Sequence, residues 1–182
     1  MGLGREPDAA DVLWLADAAA NGDEDHARWE LRYARAALGL LTAQRDALDD
    51  RTSADIAQAI TQMLERDPRI AEDRRDLAAQ QFNERLSAYR EALQMRGGPI
   101  TSADAAGRCL LAFASDGART AGAPLAYAIE LLERYADDAA GMLRKTYGEA
   151  QLPEDVAPSE MSEERGARGK RERLGEGVRG EG

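Results

Sequence analysis

The reactive inventory of this 182-residue chain is short: one histidine, His26, and one cysteine, Cys109. Sites built on two histidines are excluded at once, including the Glu-x-x-His pairs of di-iron bundles and the two-histidine motif of zinc proteases. Asp23, His26 and Glu30 fall on one helical face with the spacing of a weak metal site. A solvated histidine in an acidic helix start explains the same three residues, so no metal and no cofactor is expected. Cys109 lies within Gly107-Arg108-Cys109-Leu110-Leu111, on an apolar helical face with no activating base near it in sequence. It reads as a buried structural thiol rather than a nucleophile. No serine occupies a nucleophile-elbow setting and no glycine-rich loop follows a strand. No catalytic residue is assigned, and an enzyme is a distant third among the function classes.

Charge narrows the partners. The chain holds 34 acidic and 24 basic residues, for a net charge of −10. Residues 150–182 carry 8 acids and 6 bases, which leaves −8 on residues 1–149. A body of that sign repels phosphate backbones and anionic membranes. The stretch 53–76 has the outline of a helix-turn-helix, but Arg66, Arg69, Arg74 and Arg75 are outnumbered by Glu65, Asp67, Glu72, Asp73 and Asp76. These charges read as a solvated face laced with helical ion pairs, not as a recognition helix. Nucleic acid is reachable only through the tail, where Arg165, Arg168, Lys170, Arg171 and Arg173 are interleaved with Gly and Glu and with no aromatic to stack a base. A single cysteine rules out an intrachain disulfide, and no apolar run is long enough to span a bilayer or serve as a secretory core. A cytoplasmic protein without membrane contact is expected.

The elements that must position these residues are helical. Ala27, Leu31, Ala34, Leu38, Leu41 and Leu48 recur at steps of three and four and form one apolar seam. Trp29, Tyr33, Ala36, Leu40, Ala43 and Ala47 form a second about half a turn away. A surface helix needs one such stripe; a helix over 23–50 with two must be covered from both sides, by its own chain or by a partner. Trp14, Trp29, Tyr33 and Leu40 are therefore the candidate interface residues, because buried Trp and Tyr concentrate binding energy.

Around this helix the sequence predicts a short helix over 9–20 capped by Asp8, another over 53–66 capped by Thr52 or Ser53, and one opened by Asp67-Pro68 and running to Met95. Thr101-Ser102-Ala103-Asp104 opens a short helix closed by Asp116-Gly117, and a last long helix follows Pro124 to Tyr147. Gly141 within it suggests a close helix crossing. Short and long helices alternate, with Ala10-Asp11, Ala54-Asp55 and Ala103-Asp104 at comparable starts. A bundle of αα-hairpins is favoured over a helical-repeat array, since capping chemistry alone produces so brief an echo. From residue 150 the apolar period stops and Pro and Gly accumulate, which describes a disordered tail.

The expected architecture is all-α: a six-helix bundle of three short-long hairpins over 1–149, followed by a disordered charged tail over 150–182. The expected function is a non-catalytic module acting on a protein partner or a second copy of itself. The alternative is a small-molecule-responsive or ligand-binding helical protein, with a cavity lined by Met63, Phe82, Tyr135 and Met142.

Overall fold

In a computed structural model, residues 6–46, 50–115 and 122–148 are described, the side chain of Asp50 excepted. Among them are six α-helices: α1 (Ala9–Ala18), α2 (Glu24–Arg45), α3 (Asp50–Glu65), α4 (Arg75–Gln94), α5 (Ser102–Ala114) and α6 (Ala123–Tyr147). Each odd-numbered helix is shorter than the one after it, as the apolar spacing predicts. The helical body lies within one compact unit, Met1–Gly148. The tail, its basic cluster from Arg165 to Arg173, and Asp116-Gly117 lie outside the described residues.

The double seam dictates the arrangement. From Glu30 to Leu40 every residue of α2 is buried, so about three turns of helix have no face toward water. α1, α3, α4, α5 and α6 all pack against it. Leu31 and Leu38 on one seam and Tyr33 and Leu40 on the other are all 5% exposed or less. Over the described residues both seams are thus covered within the chain, Trp29 and Leu41 only in part. Ala27, Ala34, Ala36, Ala37 and Ala43 are also buried, and their short side chains let the neighbouring helices approach closely.

Local chemistry explains most boundaries. After α1, Asn21 and Gly22 take positive φ (52° and 83°), and the Gly22 amide donates to the Ala16 carbonyl at 2.9 Å. This left-handed close satisfies carbonyls that the helix leaves open. Asp23 then caps α2 by accepting from the His26 amide at 2.9 Å. Thr101 and Asp104 form a reciprocal capping box at the start of α5: Thr101 Oγ1 accepts from the Asp104 amide at 3.0 Å, and Asp104 Oδ2 accepts from the Thr101 amide at 3.2 Å.

Several expectations are corrected. α2 ends at Arg45, and residues 47–49 of the expected longer helix are outside the described set. α3 begins at Asp50, so Thr52 and Ser53 sit inside its first turns instead of capping it. The same Thr-Ser-Ala-Asp tetrapeptide therefore caps α5 and lies within α3. The aspartates of the supposed repeat also differ in role: Asp11 is buried against α6, Asp55 is exposed, and Asp104 caps. Asp67-Pro68 starts no helix. The chain runs through a turn, in which the Asp67 carboxylate accepts from the Arg69 amide, to a 3-10 segment, Glu72–Arg74, before α4 begins at Arg75.

Gly141 makes no close crossing: a Cβ there would meet nothing within 4 Å. Gly107 of α5 does, since a Cβ there would stand 2.9 Å from Leu125 Cδ1 and 3.0 Å from Ile129 Cγ1 of α6. The two glycines should therefore respond oppositely to alanine in urea unfolding. Gly141→Ala is expected to stabilise by about 0.5–1 kcal/mol through helix propensity. Gly107→Ala is expected to destabilise in spite of that gain, because overpacking costs about 1–3 kcal/mol. Equal effects at both positions would contradict the α5–α6 contact.

Candidate functional site

Because α2 is enclosed, its charged residues enter the interior with it and must find partners there. Glu30 is 3% exposed, and Arg32 and Arg35 are 7% exposed. The Arg85 guanidinium of α4 donates to both Glu30 oxygens, Nη2 to Oε1 at 2.7 Å and Nε to Oε2 at 3.1 Å. Its central carbon also lies 4.5 Å from the Phe113 ring centroid. Arg35 donates to Asp138 of α6 at 2.9 Å and stacks over the Tyr135 ring. Arg32 donates to Asp67 and lies over Trp29, 4.5 Å from the ring centroid. Away from α2, buried Asp11 of α1 accepts from Tyr127 Oη at 2.8 Å and Arg134 Nη2 at 3.0 Å, tying α1 to α6.

Asp67 is the most heavily bonded of these carboxylates. Besides Arg32, it accepts from the Arg69 amide and from Arg69 Nε, both at 3.0 Å. Arg69 in turn reaches Glu6 at 2.8 Å. Burial alone would raise the Asp67 carboxyl, but the hydrogen bonds from Arg69 and Arg32 outweigh it and hold the group down at about 2. The reading of the 65–76 charges as a uniformly solvated face is therefore wrong at Asp67, whose side chain is buried.

The residues singled out in the sequence separate. Tyr33 and Leu40 belong to the core, and Trp14 and Trp29 are partly buried against it. Trp14 packs on Tyr127 with ring centroids 4.3 Å apart, and Trp29 on Tyr33 at 5.8 Å. Glu30 is committed to Arg85, while His26 is exposed with Nε2 3.1 Å from the Phe113 carbonyl oxygen. Among the described residues no group of three or more His, Cys, Asp or Glu side chains could hold a metal ion. Cys109 is half-buried, with Sγ 4.0 Å from the Ala88 carbonyl oxygen, and burial pushes its thiol above the ordinary range. No described helix is long and apolar enough to cross a membrane.

Of the concavities among the described residues, two bear on binding. The first is a half-enclosed cleft of about 440 Å³ where α2, α4, α5 and α6 meet. Leu38 and Leu41, Leu93, Ala106, and Ile129 and Leu132 form its apolar walls, one helix after another. It exists because α5 and α6 present alanines there, Ala103, Ala106 and Ala136, opposite the leucines of α2. Its polar lining includes Thr42, Arg45, Arg90, Ser102 and Glu133. Met63, Phe82, Tyr135 and Met142, the side chains expected to line a cavity, take no part in it; Phe82 and Tyr135 are core residues. Sequence periodicity could not locate the cleft, since it depends on how far each helix extends along its neighbours. The second concavity is a shallow groove in which Trp29, Tyr33 and Ile70 meet Leu77, itself 50% exposed.

The Asp67 cluster sets a pH dependence. A carboxyl lowered from 3.8 to about 2 on folding contributes stability above pH 4 that is lost as pH falls through 2. The contribution is about 2 kcal/mol. Asp67→Asn should be clearly less stable than the parent at pH 7, and the gap should narrow by about that amount between pH 4 and pH 2. Urea midpoints across this range check it, and a constant gap would mean that Asp67 is not held ionised.

The chain matches no family model, no curated protein and no solved structure, so its function is to be read from its own side chains.

Proposed function

We propose that this chain is a non-catalytic helical protein that binds an apolar small molecule in the cleft between α2, α4, α5 and α6. The observation that carries the reading is the cleft itself. Its volume, about 440 Å³, falls within the range of small-molecule sites, roughly 300–1,000 Å³. Its lining has the usual composition of such sites, apolar walls with polar groups placed among them. An apolar void open to water is also a cost that a well-packed bundle avoids, and a ligand would remove it.

A second reading, a protein-interaction module, is favoured by a separate observation: Leu77 stands half-exposed beside Trp29 in the shallow groove. The partner in this reading is a second copy of the chain or another protein, with a cytoplasmic location and contacts through the tail as its extensions. Light scattering separates the two readings. A dimer that Leu77→Glu converts to monomer supports the groove as an interface between copies, and a monomer at high concentration removes self-association from it.

For the cleft, 1-octanol is a suitable probe, followed through the methyl NMR signals of Leu38, Ile129 and Leu132. Saturable shifts confined to these residues are expected. They should disappear in Ala103→Trp and Ala136→Trp, which fill the cleft from partly exposed positions and leave the buried core in place. Shifts that do not saturate, or that survive both substitutions, would overturn the proposal.

A further inference from the structure

We infer that the occupant of the cleft carries an acidic head group, so that the ligand class is a small amphipathic carboxylate seated against Arg90; this deepens the cleft-binding proposal and rests on it. The cleft is apolar in depth, where Leu38, Ala106 and Leu132 are each 5% exposed or less. A ligand filling it must therefore be mostly hydrocarbon. Its charged lining is uneven: Arg45 and Arg90 against the single acid Glu133.

The two arginines are not equivalent. Arg45 is largely exposed and already bound to Asp46 at 2.9 Å. Arg90 is half-buried on α4 and forms no ion pair with any described residue. The buried arginines Arg32, Arg35 and Arg85 are by contrast all paired to carboxylates. A guanidinium left open beside an apolar cavity offers a planar fork to a carboxylate whose chain enters the cavity. Glu133, on the α6 wall and also without an ion-pair partner among the described residues, acts against the same anion. Its removal should improve binding, and this gives the inference a second sign to test.

The experiment compares octanoate with 1-octanol, which share a chain and differ in the head group, by calorimetric titration of the full chain at pH 7. Octanoate is expected to bind more tightly than the alcohol. Arg90→Gln should weaken octanoate about tenfold and leave 1-octanol unchanged, which also shows that the variant is folded. Glu133→Gln should tighten octanoate about two- to threefold, again without effect on the alcohol. If octanol binds in the cleft but neither substitution moves octanoate, the acidic head group is wrong and the cleft proposal stands. If neither probe binds, the cleft proposal itself fails and takes this inference with it.

Discussion

A helix surrounded on all sides must find partners inside the protein for every charge it carries, and this constraint governs the structure. α2 is packed by its neighbours through three successive turns that include Glu30, Arg32 and Arg35. Leaving any of these unpaired in the interior would cost several kcal/mol. Each is matched by a residue from a different part of the chain: Arg85 on α4, Asp67 in the turn after α3, and Asp138 on α6. Apolar contacts press the helices together without direction, whereas these pairs fix which residue faces which.

The same pairs link the structure to the cleft. They cluster toward the N-terminal half of α2, with Arg85 and Asp67 drawn to Glu30 and Arg32. Toward the C-terminal half the contacts are leucine against alanine, and there the helices leave space between Leu38, Leu41 and Ala106. The ion pairs thus lie on one half of the helix, and the apolar cleft opens beside the other.

Much of the fold is legible in the sequence because apolar period reports burial. The two seams on 23–50 identify α2 as the interior helix, and Gly97-Gly98-Pro99 and the Thr101 capping box bound α4 and α5 well. The unread features share a cause: residue type misreports their environment. Glu30, Arg32 and Asp67 look like solvent-facing charges and are buried, because their partners lie 35 to 55 residues away in sequence. Gly107 rather than Gly141 marks the close crossing, since each stands in a helix and only the neighbouring helix distinguishes them. Trp29 and Tyr33 announce a covered surface, but nothing local says that α4, through Phe82 and Gln81, does the covering.

The central claim is that α2 is interior and its charges are paired within the chain. A double-mutant cycle between Glu30 and Arg85, using glutamine at each position and unfolding free energies at pH 7, tests it most directly. The structure predicts that either single substitution destabilises by about 3–5 kcal/mol, because each leaves a buried charge alone. The double variant should then lose much less than the two losses combined, with a coupling of about 1.5 kcal/mol or more. Losses below about 1 kcal/mol that simply add, as for an exposed ion pair, would contradict an enclosed α2.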